Sequence, residues 1–590
     1  MLAPLLTAAA TAAADVTDVA RPGFHYTRPA GWQNDPVPYR DASGTYHLFT
    51  LCNPNGTTQW RPPGATVPGI PYPVYDHSAW CHATSPDMAT SWTTHKPALM
   101  RGPWPGVGSP GGTGNVLPGL TPVEQRDLNA TSAILVGGGV LWRSSDPTLA
   151  QFEEAGPLHL PAAPKPNVQY CGDVHIYRHG RRWRVAAAGS DGLCMDGGNA
   201  SIAPLVLVYE SESLTFNESG AWKYISTLYT GAPGDGPRAE CPTYIPAAEA
   251  GGTSILLFSK TGTTGGVCPP GTPNACPPPP SRGEEADRSE AGTRSRPHQL
   301  EEQEVPCVKC FTNGVYWATG EEDDDGVLQI KRRGRQQEGG YANEAFHDVQ
   351  NDRWIVYSWI ATGQYGSLNC TNSEGRVLPG CWVGAQSLPR VVSLQPDLSL
   401  KFPVAPELNK LLGTSTTVKG VGSGDLTVAP NVTLQSKVSV TVAVTSPATA
   451  NGKSSGPGSP AIFFSIEMLR RRPCATCTTT STTISLERQL GGNSTKLTLC
   501  GDSANGASCQ AATIDGAFRE SAFDVWIDHS VVELYSDGGA AVLVAPTGLY
   551  AFKSDGFISH ATQVTAADES VNFTVSVAPV RRAAFHSDPG

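Results

Sequence analysis

Arg21-Pro22-Gly23-Phe24-His25-Tyr26 leads into Trp32-Gln33-Asn34-Asp35-Pro36 close to the N-terminus, and this stretch decides how the rest of the chain is read. Pro36 disfavours the helical region for the residue before it, so Asp35 is held extended and its carboxylate can be aimed. Asn34 brings an amide suited to hydroxyl groups, and Trp32 an apolar face suited to a ring. Taken alone, Asn-Asp-Pro reads as a turn. The reading changes only with what accompanies it further along.

A chain of 590 residues exceeds one ordinary core, so two large domains are expected. With 63 Gly, 50 Pro and many short apolar runs, the composition favours an all-β chain rich in turns. The net charge of -11 argues against a nucleic-acid surface. Residues 1–20 read as a weak export signal or N-terminal tail, apolar and small but lacking a basic start. No later segment offers ~20 uninterrupted apolar residues, so no membrane span is expected. Glycosylation sequons begin at Asn55, Asn129, Asn199, Asn217, Asn369, Asn431, Asn493 and Asn572, which suits the secretory route. The 15 cysteines point the same way, with local pairs at Cys171 and Cys194, Cys370 and Cys381, and Cys500 and Cys509. Cys307, Cys310, Cys474 and Cys477 could instead offer thiolates to zinc, a weaker reading than disulfides. The odd count leaves a free thiol, for which Cys241 is the candidate.

Strand signals recur along the chain. Gly44 to Thr50, Ser78 to Ser85, Ala133 to Val136, Leu205 to Ser211, Ser254 to Phe258 and Trp354 to Ile360 all read as half-buried or buried strands. Ser85, Ser144 and Ser211 mark equivalent points 59 and 67 residues apart, a loose repeat that suits propeller blades with long loops. The Pro/Gly and charged tract at about 261–305 reads as a disordered insertion. A linker with a short helix is expected over 403–415, and sandwich strands beyond it, as at Val438 to Val444 and Phe523 to Ile527.

Two further carboxylates stand out. Glu240 lies in Arg238-Ala239-Glu240-Cys241-Pro242-Thr243, and Asp173 in Tyr170-Cys171-Gly172-Asp173-Val174-His175. Locally, the first is a loop carboxylate before a Cys-Pro turn and the second an Asx-turn aspartate. The block from His25 to Pro36 closely resembles the nucleophile box of glycoside hydrolase family 32, the invertases, fructan hydrolases and fructosyltransferases. The Glu240 block resembles the family's Glu-Cys-Pro acid/base box. Asp173 falls where the family has Arg-Asp-Pro, although Gly172 replaces the arginine and Val174 the proline. An Arg126-Asp127 pair exists but comes too early in the chain. Gln33, Val37 and Leu51 also depart from the family pattern, at places expected to ring the sugar pocket.

The resemblance covers roughly Arg21 to Pro579. It includes Trp80-Cys81-His82, Tyr341-Ala342-Asn343-Glu344, Trp382 to Arg390 and Asp528-His529-Ser530-Val531-Val532-Glu533. It implies a five-bladed β-propeller over 21–402 and a C-terminal β-sandwich over 416–590. It also implies a retaining β-fructofuranosidase acting on sucrose or fructans, with Asp35 as nucleophile, Glu240 as acid/base and Asp173 stabilising the transition state. An enclosed pocket and a neighbouring thiol would raise the pKa of Glu240. Trp32, Asn34, Trp80, Tyr341 and Trp359 are expected to contact the sugar. No cofactor or metal is required, and the expected partner is a small or oligomeric β-fructofuranoside, with no nucleic acid or membrane. The rivals are a fructosyltransferase, motivated by Gln33 and Val37, and a non-catalytic sugar-binding relative, motivated by the missing arginine. An inverting arabinan-type hydrolase is a weaker third. The Asp-His-Ser of residues 528–530 reads as structural, because adjacency in sequence is not triad geometry.

Overall fold

The computed structural model describes residues 21–29, 31–52, 79–100, 113–117, 120–127, 134–137, 139–165, 167–192, 203–214, 220–231, 239–260, 314–338, 340–360, 382–421, 424–428, 434–444, 461–468, 470–471, 482–488, 494–503, 506–515, 520–546, 557–559, 562–566 and 571–587. Within them the chain is almost entirely β-strand. Helical structure is confined to Pro122–Asp127 and the 3-10 turns Val349–Asn351 and Pro406–Leu411. The last of these falls where a linker helix is expected. Residues 1–20, the 261–305 tract and the Cys307/Cys310 and Cys474/Cys477 pairs lie outside the described residues.

The N-terminal part is a run of antiparallel sheets in chain order. Gly31–Arg40, Tyr46–Cys52, Ala79–Ser85 and Ser91–Thr94 make the first. Ile134–Gly137, Val140–Arg143 and Glu153–Pro157 make the next. Val168–His179, Arg182–Asp191, Pro204–Ser211 and Lys223–Thr230 follow. Then come Ala239–Ile245, Ser254–Lys260, Gly314–Glu322 and Leu328–Glu338, and finally Gly340–Asp348, Arg353–Ile360, Arg390–Leu394 and Leu400–Lys401. The strands read from sequence are present with their ends moved by a few residues. Ser85, Ser144 and Ser211 are indeed equivalent. Each is buried at or just past a strand end, and each hydroxyl accepts a hydrogen bond from the backbone N–H two residues on.

Two short contacts tie the end of this run to its beginning. Trp382–Val383 pairs in parallel with Gly31 and Trp32. The Gln33 side-chain amide donates to the Gly384 carbonyl at 3.0 Å, and the Gln386 amide donates to the Asn34 carbonyl at 2.6 Å. Gly384 has φ +86°, and a Cβ there would lie 2.2 Å from the Gln33 carbonyl oxygen, so only glycine lets the strands come this close.

The C-terminal part is two sheets over one apolar core. Gln435–Val444 alternates between half-buried and buried at every residue, putting Val438, Val440, Val442 and Val444 inward against Phe464, Ile466, Leu486, Leu497, Phe523 and Val525. The halves are also stitched together through their sheets. Gln337 and Glu338 pair in parallel with Val542 and Leu543, and Ala584–Ser587 pairs in parallel with Ser91–Thr94. Cys500 bonds Cys509 and Cys52 bonds Cys81. Cys171 is also disulfide-bonded, whereas Cys194, Cys370 and Cys381 lie outside the described residues. Cys241 is a free, buried thiol. Of the sequons, Asn572 is described, half-buried on Val571–Pro579.

A polar link joins the halves beside an apolar cluster that includes Phe24, Tyr26, Trp526 and Tyr535. The Asp528 carboxylate accepts hydrogen bonds from the backbone N–H groups of Gly23 at 2.6 Å and of Phe24 and His25 at 2.8 Å, and one from His25 Nδ1 at 2.8 Å. His25 Nε2 lies 2.8 Å from Glu533 Oε1, which also accepts from the Leu388 N–H at 2.9 Å. The Tyr535 hydroxyl donates to the other Glu533 oxygen. Burial alone would lower the His25 pKa, but its two carboxylate partners raise it to about 9, so both ring nitrogens carry hydrogen at neutral pH. The Asp-His-Ser segment is therefore a structural clamp.

Replacing His25 with alanine leaves two buried carboxylates without their cation, and unfolding at pH 6 should show a loss of ~3 to 5 kcal/mol. Because the folded-state pKa lies above the ordinary value of 6.5, the stabilisation is complete below about 6.5 and disappears as pH rises through about 9. Denaturant melts from pH 6 to 10 should thus show a decline in the parent protein across that window, and its absence in the His25→Ala variant.

Candidate active site

The inner strands Gly31–Arg40, Val168–His179, Ala239–Ile245 and Gly340–Asp348 pack side by side. Each breaks its pairing register close to the residues of interest. The irregularities fall between Gln33 and Pro36, between Tyr170 and Val174, between Glu240 and Thr243, and between Tyr341 and Glu344. A bulge adds an unpaired residue, increases local twist and re-aims side chains. Here it turns Asp35, Asp173 and Glu240 toward one another. Cys241 and Ala342 adopt left-handed conformations at φ +53° and +49°, a cost that strands accept mainly where a site demands it.

Asp35, Asp173 and Glu240 are each 8% exposed, buried yet reachable. Asp173 Oδ1 accepts the Thr113 backbone N–H at 3.0 Å, and Oδ2 accepts the Cys241 N–H at 2.9 Å with the Cys241 thiol at 3.7 Å. Two backbone donors thus orient this carboxylate, where the sequence shows no neighbour able to do so. Burial first, then the charges of Asp173 and Glu240, push the Asp35 pKa well above the usual carboxylate range. Carboxyl groups that interact in this way titrate as a set. Burial and the same three carboxylates also push the Cys241 thiol up, keeping it neutral. Among the described residues no group of three or more His, Cys, Asp or Glu is arranged to hold a metal ion.

The expected sugar contacts fall in two clusters. Trp32 and Trp80 are buried in one apolar cluster with Val37, Leu51 and Val383. Trp359 packs with Cys241 and Ala342, and Tyr341 lies against them. The indole nitrogens of Trp32 and Trp80, Asn34 Oδ1 and the Tyr341 hydroxyl are buried and make no hydrogen bond among the described residues.

Val37 and Leu51 share the apolar cluster of Trp32 and Trp80, and the Gln33 side-chain nitrogen donates to the carbonyls of Tyr26 and Gly384. Arg126 is exposed on the helix Pro122–Asp127. Sequence reading passed over three contributors to the cluster, Thr113, His175 and Glu344. The first acts through its backbone and leaves no signal. The other two had one, an Asp-x-His spacing that puts Asp173 and His175 on one strand face and a lone acid in the strand Ala342-Asn343-Glu344-Ala345-Phe346.

No protein-family model matches the chain. It is 25% identical over 431 residues to the cell-wall isozyme of β-fructofuranosidase from Zea mays, covering 70% of this chain and 60% of that protein. It is 25% identical over 391 residues to a fructan 6-exohydrolase from Triticum aestivum, covering 64% and 55%. The matches therefore span less than two thirds of those relatives' length. Among solved structures, fructan 1-exohydrolase IIa from Cichorium intybus superposes with a TM-score of 0.64 at 15% identity, covering 97% of this chain and 99% of that one. At that identity the likeness is one of fold.

Gly172 has φ +106°, outside the range L-residues favour, although a Cβ would meet nothing within 4 Å. Restoring an arginine there should strain the backbone that carries Asp173. Gly172→Arg should lose ~1 to 3 kcal/mol in denaturant unfolding.

Proposed function

This chain is a relative of glycoside hydrolase family 32, and from that relationship we propose that it is a retaining β-fructofuranosidase, hydrolysing sucrose or fructans. The observation that carries the reading is the mutual approach of Asp35, Asp173 and Glu240, brought together from separate sheets and acting electrostatically on one another. We read the N-terminal sheets as a five-bladed propeller over 21–402, followed by a linker over 403–415 and a β-sandwich over 416–590. The parallel pairing of Trp382–Val383 with Gly31 and Trp32 supports closure of such a ring.

In this mechanism the Asp35 carboxylate attacks the anomeric carbon while Glu240 gives its proton to the leaving oxygen. Glu240 then takes a proton from water as that water displaces Asp35, returning both acids to their starting states. Asp173 grips fructosyl hydroxyls, whose acidity rises as positive charge builds on the ring. One proton shared within the cluster is what this chemistry needs, because one acid must start charged and another neutral. Trp32, Asn34, Trp80, Tyr341 and Trp359 would form the sugar site, with the unspent polar atoms of Trp32, Asn34, Trp80 and Tyr341 meeting hydroxyls. The hydrogen bonds from Thr113 and Cys241 to Asp173 weaken the case for a non-catalytic relative. A secreted, cell-wall or vacuolar location fits the sequons and the cell-wall relative. Among the described residues no helix is long and apolar enough to cross a membrane.

Product analysis on sucrose, inulin and levan at several concentrations tests the reading. Glucose and fructose from sucrose should appear in equal amounts, whereas glucose in excess with growing oligosaccharides would indicate transfer. Asp35→Ala should abolish turnover with the fold intact. Glu240→Gln should lose on the order of 10²- to 10⁴-fold on sucrose, and less on substrates with good leaving groups. Equal losses on both substrate types would remove Glu240 from the acid role.

A further inference from the structure

Beside the three carboxylates lies a fourth acid that the mechanism above leaves unused. Glu344 is fully buried on Gly340–Asp348, just past its bulge, and its Oε1 is 2.8 Å from His175 Nδ1. His175 follows Asp173 by two residues on Val168–His179. The two share a strand face, while Val174 and Ile176 point into the apolar core on the other.

For an uncharged ring, the hydrogen bonds place the proton. The imidazole also bonds the backbone of Tyr244 and, with Nδ1 taken by Glu344, that bond falls to Nε2. A carbonyl only accepts, so Nε2 carries the hydrogen and, in a neutral ring, Nδ1 presents a lone pair. The proton between Nδ1 and Oε1 then belongs to Glu344. Burial, outweighing the Tyr244 bond and the charge of Glu249, lowers the His175 pKa to about 3. Burial and the nearby Asp173 charge push the Glu344 carboxyl well above its ordinary range, against the Thr243 hydroxyl beside it. Burial thus favours the uncharged form of both members. The charged groups bearing on the pair are Asp173 from the His175 strand and Glu249 from beyond Ala239–Ile245, with Asp35, Glu240 and Cys241 grouped around Asp173.

We propose that Glu344 is a neutral acid that donates a hydrogen bond to His175 and thereby holds Asp173 in place, the two acting as a positioning pair for the carboxylate cluster. The bond ties the strand bearing Asp173 to Gly340–Asp348 across the centre of the site, and adds no negative charge beside the three carboxyl groups. The kinetic consequence rests on the fructosidase reading, whereas the charge state of Glu344 does not.

Two measurements on the full chain separate these. Infrared difference spectra between wild type and Glu344→Gln at pH 7 should show one protonated carboxylic acid lost with the substitution. Loss of an ionised carboxylate band in its place would overturn the proposal. In kinetics on sucrose, Glu344→Gln keeps a donor to Nδ1 and adds no charge, so kcat should stay within about threefold and the acid limb of the pH profile should not move. Glu344→Ala should lower kcat at least tenfold with KM little changed. An Ala variant with wild-type kcat, or a Gln variant whose acid limb moves to lower pH, would equally overturn it. Should Glu344→Ala fail to fold, His175→Gln replaces it with the same expected loss of kcat and the same overturning result. A wild-type protein inert on every β-fructofuranoside would sink the fructosidase reading instead, and the infrared result would still decide this one.

Discussion

The carboxylate of Asp528 is the point on which the two halves of this molecule depend. Its two oxygens take three consecutive backbone N–H groups and one imidazole nitrogen from the segment Gly23 to His25, and the other imidazole nitrogen reaches Glu533. A buried charge is costly unless every lone pair is answered, and here a cation and the backbone answer them together. The segment so gripped lies only ten residues before Asp35. Glu533 also receives the Leu388 N–H, from the chain that closes against the first strand. One acidic pair in the C-terminal half thus anchors the beginning and the end of the N-terminal run of sheets.

That anchorage bears on the local irregularities. The inner strands deviate from regular pairing close to the carboxylates, and Cys241, Ala342 and Gly172 hold left-handed or glycine-type conformations beside them. Such conformations persist only when the surroundings over-determine them. The surroundings here are apolar clusters on the outer faces of the same strands. Val174 and Ile176 pack on one side of a strand whose other side presents Asp173 and His175. Alternation at period two lets one strand serve a core and a polar centre together.

Much of the architecture was legible from residues alone. Strands such as Leu205 to Ser211 and Val438 to Val444 announce themselves by β-branched composition and alternation, which depend on local sterics and burial. The recurring serine at strand ends was legible for a similar reason, because its hydroxyl caps a turn only two residues away. Which strand pairs with which was not. The return of Ala584–Ser587 to the edge strand Ser91–Thr94, and the parallel contact of Gln337 with Val542, join residues far apart in sequence through backbone groups that every residue possesses.

By itself, the sequence determined the all-β character, and it offered Cys241 as the candidate free thiol, Cys500 and Cys509 as a local pair and the three candidate carboxylates. Each follows from composition, short-range spacing or a motif carried on a few adjacent residues. Only the tertiary structure decided that Asp35, Asp173 and Glu240 meet, that backbone N–H groups of Thr113 and Cys241 orient Asp173, and that His25 is a cation between Asp528 and Glu533. Only it placed Glu344 against His175. Electrostatic character arises from burial and from charges brought within a few ångströms, and both are created when strands distant in the chain pack together.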